Sequence, residues 1–335
     1  MGMFDKLLEN LAAERKTIVF TEGTDARILD AADRILKEDL MGVILCGNVD
    51  DVRAAAASGG YDIAKAEVLD PLTYEDMDRL VSEGSELGCH FYMLTGGEPL
   101  VRKRDVMRLA RAHQDCLFNI FTNGSLIDEA LCTEVAEAGN VIFSVSLESF
   151  EPDVNDGRRG DGSFDEVLRA FDVMRRYGLL FGTSTCYTRE NTEIVSSDTF
   201  LDLIISRGCR WAWYFHYMPV GEGASADLMP TFEQREHMMS RVREIRAPQG
   251  GKAIFPMDFQ NDAEFVGGCI AGGRAYCHIN ARGDVEPCVF IHYSNANIKD
   301  QSLLDCLRQP VFQAYRAHFP WNENHLRPCP MLENP

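Results

Sequence analysis

Short apolar runs alternate along most of this chain with amphipathic stretches of helical period. Thr17-Ile18-Val19-Phe20 reads as a strand, and Thr21 to Asp25 as a turn that ends in a helix cap. Ala26 to Glu38 carries Ile28, Ala31, Ala32 and Ile35 on one face, the 3.6-residue period of a helix. Gly42 to Gly47 predicts a second buried strand, Asp50 to Ser58 a short helix, and Ala66 to Leu69 a weak third strand. Ahead of these, Phe4, Leu7, Leu8 and Leu11 sit at helical spacing and predict a helix within residues 1–15.

Asp70-Pro71-Leu72 interrupts the rhythm, and Thr73 can cap a helix from Tyr74 to Leu87. The alternation then resumes: strand Phe91–Leu94, helix Lys103–His113, strand Leu117–Phe121, helix Asp128–Ala138, strand Val141–Leu147, helix Phe164–Tyr177, strand Phe181–Tyr187, helix Asp198–Arg207, strand Trp211–Met218 and a long helix Thr231–Arg246. Such alternation with short crossovers predicts an α/β fold with a parallel sheet, curved into a partial or full barrel. After Pro248-Gln249-Gly250-Gly251 the pattern changes. Residues 253–293 predict short strands between glycine turns, and Ser302–Phe319 predicts one helix before a proline-rich tail, Arg327-Pro328-Cys329-Pro330.

One strand end stands out. Phe91–Leu94 stops on Thr95-Gly96-Gly97-Glu98-Pro99. Glycines let the backbone take positive φ and approach a ligand, and the proline stiffens the exit. Glu98 is thereby held at the C-terminal end of a strand, where parallel sheets and barrels bind ligands. The residues alone leave two readings open, a plain strand-to-helix turn or a binding site.

Composition narrows the partners. The net charge of −19, from 52 acidic against 33 basic residues, disfavours nucleic acid, because neutralising phosphates needs a basic face. No apolar run reaches the length of a membrane span and the start has no signal-peptide core, so a cytoplasmic protein is expected. The 11 cysteines are spread unevenly: six lie before residue 250, and five, Cys269, Cys277, Cys288, Cys306 and Cys329, lie after it. In a reducing compartment this crowding reads as metal ligands, buried thiols or both.

From Leu72 to the C-terminus the chain resembles radical S-adenosylmethionine (radical SAM) enzymes that carry an auxiliary iron–sulfur extension. Gly96-Gly97-Glu98-Pro99 is similar to that family's motif for the methionine amino group. Asn119-Ile120-Phe121-Thr122-Asn123-Gly124 matches the next strand end. Ser144-Val145-Ser146-Leu147-Glu148 matches the strand whose polar side chains meet the ribose hydroxyls or the methionyl part. Asp156-Gly157-Arg158-Arg159-Gly160 matches a loop whose arginine reaches the SAM carboxylate, and Tyr217-Met218-Pro219-Val220-Gly221 a strand end whose backbone lies near adenine. The resemblance implies SAM as cofactor, bound by Gly96, Gly97, Glu98, Asn123, Ser144, Ser146, Glu148, Arg158, Arg159 and Met218. It also implies a peptide or small-molecule substrate and an electron donor such as flavodoxin or ferredoxin. A stretch from Cys269 through Gly283 to Cys288 resembles the start of a SPASM or twitch auxiliary [4Fe–4S] domain, with Cys329 as a further thiolate. Cys277, Cys306, another side chain or an open position could complete the set. His278 and His292 read as ordinary polar residues.

One family feature is missing from the sequence. Cys-x3-Cys-x2-Cys, which would hold the catalytic cluster, occurs nowhere. Its place is taken by residues 1–71, where Lys16 to Leu29 and Leu45-Cys46-Gly47-Asn48 resemble the beginning of a phosphate acetyltransferase. The rest of that enzyme is not represented, so no transferase activity is expected, and Glu22-Gly23-Thr24-Asp25 reads as a helix cap. The expectation is a chain joined near Pro71-Leu72 by recombination, assembly error or engineering. Its parts are a phosphate-acetyltransferase-like βαβα fragment (1–71), a radical SAM core without its first strand and cluster loop (72–248) and an auxiliary Fe–S extension (249–335). The strand Ala66–Leu69 is a candidate for the lost strand's slot. Radical chemistry should be impaired. The alternatives are a non-catalytic Fe–S or SAM-binding protein, a fusion without a role, or an inactive acetyltransferase fragment.

Overall fold

A computed structural model describes residues 16–221, 224–249, 251–318, 324 and 329. The helix expected within residues 1–15, and Arg327, Pro328 and Pro330 of the tail, lie outside the described residues. The chain forms two compact units, Met1–Thr73 with the hairpin tip Ile279–Asp284, and Tyr74–His278 with Val285–Pro335.

In the first unit, β1 (Thr17–Phe20), β2 (Gly42–Cys46) and β3 (Glu67–Leu69) form a parallel sheet in that order. Thr17 pairs with Gly42, and Ile44 with Glu67. Helices α1 (Ala26–Lys37) and α2 (Val49–Gly59) supply Leu29, Ala32, Leu36, Val52 and Ala56, which bury Val43 and Leu45 of the central strand. Asp25 caps α1 by accepting from the Arg27 N–H, and Asn48 caps α2 by accepting from the Asp50 and Asp51 N–H groups. The strand at residues 67–69 therefore does not take the first slot of a barrel. It is hydrogen-bonded beside β2, and its three residues give it one parallel partner.

The second unit is organised by six parallel strands in sequential order: β4 (Phe91–Leu94), β5 (Leu117–Thr122), β6 (Val141–Ser146), β7 (Phe181–Tyr187), β8 (Trp211–His216) and β9 (Phe255–Asp258). They form a half-barrel. Helices α3 (Tyr74–Glu86), α4 (Lys103–Ala112), α5 (Glu129–Ala138), α7 (Ser163–Arg176), α9 (Asp198–Arg207) and α10 (Phe232–Arg246) alternate with the strands. The strands send Phe118, Ile120, Phe143, Val145, Phe181 and Tyr214 into one core with Leu109, Leu131, Phe171, Ile204 and Met238 of the helices. Side chains of successive strand residues point to opposite faces, so Asn119, Ile142, Trp211, Trp213 and Met257 line the other face, around a cavity of about 290 Å3. β9 begins beyond residue 248, where the sequence rhythm changes, and is the last strand of this sheet.

Two local expectations change. Residues 156–159 were expected as a loop, but Pro152–Arg159 is a helix, α6, with its proline in the first turn, where no N–H is needed. The Asp156 carboxylate then accepts from the N–H groups of Gly162 and Phe164 and from the Ser163 hydroxyl. These donors, the Phe164 N–H foremost, hold its carboxyl below the usual range. The single helix expected over residues 302–319 is two, α12 (Leu303–Cys306) and α13 (Pro310–Ala317), because Pro310 can begin a helix but not continue one. The remaining short elements are helices α8 (Thr192–Ser196) and α11 (Ala263–Val266), 3-10 turns at Pro99–Arg102 and Ala226–Leu228, and the two-stranded sheet of β10 (His278–Ile279) and β11 (Val285–Glu286). Among the described residues no helix is long and apolar enough to cross a membrane.

Candidate functional site

Parallel pairing sets the C-terminal ends of neighbouring strands side by side, and polar side chains gather there. After β4, Gly96 has φ of +136°, and a side chain at Gly96 or Gly97 would meet nothing within 4 Å. These glycines thus border open space, a cradle that packing within the chain leaves free. Glu98 is fixed from three sides. Its Oε1 accepts from the Leu100 N–H at 3.0 Å and the Thr122 hydroxyl at 2.9 Å, and its Oε2 from the Asn123 N–H at 2.8 Å. These bonds use three of the carboxylate's roughly four lone-pair sites, so Oε2 keeps one for a cation. The Asn123 side chain folds back locally, accepting from the Ser125 N–H and hydroxyl.

At the end of β6 the residues separate by role. Ser144 is fully buried and engaged twice, with its hydroxyl 3.1 Å from Asn119 Oδ1 and accepting from the Trp211 indole N–H at 3.0 Å. Ser146, two residues on and at the last position of the strand, is only half-buried. Glu148 is buried at 1 % exposure and pairs with Arg159, while its Oε2 accepts from the Cys186 N–H at 2.9 Å. Arg159 and Glu148 thus hold each other. The Arg158 guanidinium lies 3.5 Å from the Cys186 carbonyl, a long contact that leaves most of its donors uncommitted.

The ends of β7, β8 and β9 carry a network that the sequence motifs did not single out. The Tyr187 hydroxyl donates to Asp258 at 3.2 Å, and Asn261 Nδ2 donates to Asp258 at 2.7 Å. Burial pushes the Asp258 carboxyl up to about 6 and the Tyr187 phenol well above its usual value. Arg235, on α10, lies 3.0 Å from Nδ1 of His216. Burial first, and the Arg235 charge second, hold His216 far below its usual pKa, so it is a neutral imidazole. His216 Nε2 lies 2.8 Å from the Met218 sulfur, and the Met218 carbonyl accepts from the Val220 N–H. Tyr187, His216, Arg235, Asp258 and Asn261 are far apart in sequence and form no local motif. A polar residue at the last position of an otherwise apolar strand was the one available signal.

The C-terminal thiols fall into two groups. Burial foremost, and neighbouring thiols within the set Cys269, Cys288 and Cys329, raise the pKa of Cys269 and lift that of Cys288 to about 12. Tyr315 of α13 feels all three. The loop after Cys269 packs tightly under this helix: a side chain at Gly272, where φ is +66°, would lie 2.4 Å from Tyr315 Cβ. Three thiols that influence one another electrostatically suit an iron–sulfur cluster, which ionises its ligands despite their raised intrinsic values. Cys277 is not part of this set. The thiols that bear on it are Cys89 and Cys306, and burial lifts it to about 12. His278 and His292 both face the Glu286 carboxylate, at 2.8 and 3.3 Å, as ordinary polar residues do.

Comparison with known proteins agrees with this geometry. Residues 46–196 match the model of the radical SAM superfamily, and residues 269–330 that of an iron–sulfur cluster-binding domain, SPASM. An AdoMet-dependent heme synthase of Methanosarcina barkeri is 25% identical over 69% of this chain and 71% of its own length. A phosphate acetyltransferase of Thermoanaerobacterium thermosaccharolyticum is 40% identical over 87 residues, 26% of each chain. Among solved structures, Streptococcus suis SuiB bound to S-adenosylmethionine superposes with a TM-score of 0.59 at 18% identity, over 77% of this chain and 65% of SuiB. SuiB bound to its precursor peptide SuiA gives the same TM-score. This chain therefore spans about two thirds of SuiB. The two matches thus give the chain a radical SAM domain over residues 46–196 and a SPASM-type iron–sulfur cluster-binding domain over residues 269–330.

Proposed function

We propose that this chain binds S-adenosylmethionine at the C-terminal ends of β4, β5, β6 and β8, holds an iron–sulfur cluster on Cys269, Cys288 and Cys329, and does not by itself cleave S-adenosylmethionine reductively. The observation that carries the reading is Glu98, a carboxylate pinned by three donors beside an open glycine cradle. It accepts the methionyl ammonium. Arg158 meets the methionyl carboxylate, Ser146 and Asn123 lie toward the ribose and methionyl part, and the backbone at Met218 lies toward adenine. Glu148 and Arg159 position this wall as an ion pair, and Ser144 braces it from within. One-electron reductive cleavage is the chemistry that S-adenosylmethionine supplies in this superfamily. That chemistry needs a second cluster with an open iron, and the Cys-x3-Cys-x2-Cys spacing that would hold it does not occur here.

The division at residues 71/72 and 248/249 and the joining of an acetyltransferase-like fragment to a radical SAM core belong to the same proposal, as does a cytoplasmic location. An acetyl-phosphate assay should be blank. The competing reading is a working radical enzyme acting on a peptide or a small molecule, with flavodoxin or ferredoxin as electron donor. It is favoured by one observation, that the radical SAM match begins at Cys46, upstream of Pro71-Leu72. Anaerobic reconstitution separates the readings. The proposal expects S-adenosylmethionine binding by calorimetry, about four irons per chain lost on Cys288→Ala, and no 5′-deoxyadenosine with dithionite. Deoxyadenosine above the protein-free background would establish the competing reading. Absence of S-adenosylmethionine binding would remove the first part of the proposal.

A further inference from the structure

The N-terminal ends of β4 and β5 carry a side-chain cluster that the binding site does not use. The two strands pair in parallel with Phe91 opposite Leu117, and the Leu117 N–H donates to the His90 carbonyl at 2.8 Å. This register sets the residues just before each strand side by side, Cys89-His90 against Asp115-Cys116. A His Nδ1, an Asp carboxylate oxygen and a Cys thiol there all lie within 4.8 Å of one another. His90 Nδ1 and Asp115 Oδ2 are 3.4 Å apart. Ser85, in the last turn of α3, hydrogen-bonds the Asp115 carboxylate and lies 3.5 Å from His90 Nδ1.

We propose that His90, Asp115 and Cys116 form a mononuclear zinc(II) site, with the fourth position taken by the Cys89 thiol or a water. The donor set is one imidazole nitrogen, one carboxylate oxygen and one thiolate sulfur, which suits a borderline-soft ion without geometric preference. Zinc bonds of roughly 2.0–2.3 Å at tetrahedral angles place neighbouring donor atoms about 3.3–3.8 Å apart, which the His90–Asp115 separation already meets. Ser85 supplies the outer hydrogen bond that orients a ligating carboxylate. Cys89 is close enough to act electrostatically on Cys116, and the Tyr92 hydroxyl fixes its backbone by donating to the Cys89 carbonyl at 3.0 Å. Cys116 is buried at 2 % exposure, whereas the side chains of His90 and Asp115 are half exposed, so the site has a sulfur floor and an open entry. Binding releases the Cys116 proton and ties the starts of two strands together.

The test is zinc stoichiometry by elemental analysis on the full chain, after incubation with zinc chloride and desalting. One zinc per chain should be lost in His90→Ala and in Asp115→Ala, two exposed positions where the fold is retained, and kept in Cys288→Ala. Substitution with cobalt(II) should give a thiolate-to-cobalt absorption band that disappears in Cys116→Ser and weakens in His90→Ala. Zinc that persists in His90→Ala and Asp115→Ala, zinc lost only in Cys288→Ala, or no zinc in the unaltered chain would each overturn the proposal. None of these outcomes depends on S-adenosylmethionine binding.

Discussion

The two parallel sheets of this chain are built from the same strand–turn–helix unit but use their strand ends differently. After β1 and β2, Asp25 and Asn48 spend their side chains on the next helix, accepting N–H groups two or three residues away. After β4, β6 and β7 the polar side chains reach across to other strand ends. Glu98 accepts from Thr122 and Asn123, Glu148 accepts from the Cys186 N–H and Arg159, and the Tyr187 hydroxyl donates to Asp258. A side chain spent only on its own helix closes that helix, whereas Glu98 caps the turn at Leu100 and still reaches Thr122 and Asn123. A cross-strand network fixes charges at one end of the sheet, where a ligand can meet several of them at once. The difference is one of sequence separation, and it explains why one sheet end reads as punctuation and the other as a site.

Four substitutions can break or sharpen this contrast. Arg159→Ala should act most strongly, because it leaves Glu148 buried without its counter-charge. The loss should be about 2–4 kcal/mol in chemical denaturation, below the top of the range for buried pairs because Arg159 is one third exposed. If stability is unchanged, the ion pair is not a structural part of the wall. Glu98→Ala should weaken S-adenosylmethionine binding by about 100-fold, the worth of a fixed carboxylate on a buried cation. Calorimetry reads it, and an unchanged Kd would move the ammonium site elsewhere.

The third concerns pH. Burial raises the Asp258 carboxyl to about 6 from an ordinary value of 3.8. The folded state therefore keeps a proton that the unfolded chain has lost between these values. Stability contributed by this group is fully present below pH 4 and is lost as pH rises to about 6, by on the order of 3 kcal/mol. Asp258→Asn should remove that slope from the pH dependence of unfolding. A slope that survives the substitution would assign it to another group. The smallest effect is expected from Asp25→Ala in the first sheet, a slight loss of stability from a missing cap, with S-adenosylmethionine binding untouched. A change in binding there would erase the distinction between the two sheets.

Much of this was legible in the residues. Strand Phe181–Tyr187 and helix Asp198–Arg207 appear where the apolar periodicity places them, since buried strands and amphipathic helices are read from neighbours within a few positions. Asp25 was read correctly as a cap for the same reason. The motif at Gly96–Pro99 marked its own strand end because positive φ at Gly96 and the ring of Pro99 are local facts. Helix α6 was hidden, because Asp156, Gly157, Arg158 and Arg159 have little apolar pattern, and Asp156 gains its hydrogen bonds only when α7 follows. The slot of the strand at 67–69 was also hidden, since three residues carry too little pattern to specify a neighbour.

The sequence by itself determined the alternation of strands and helices, the glycine–acid strand end, the absence of the Cys-x3-Cys-x2-Cys spacing and the wealth of C-terminal cysteines. Only the tertiary structure decided which partners those residues meet. It sealed Ser144 between Asn119 and Trp211, locked Arg159 onto Glu148 and set His90 beside Asp115 and Cys116. The physical reason is that periodicity and capping act over a few residues. Pairing of parallel strands joins positions more than 20 residues apart, such as Phe91 with Leu117 and Phe118 with Val141, through a register that depends on how all the helices between them pack.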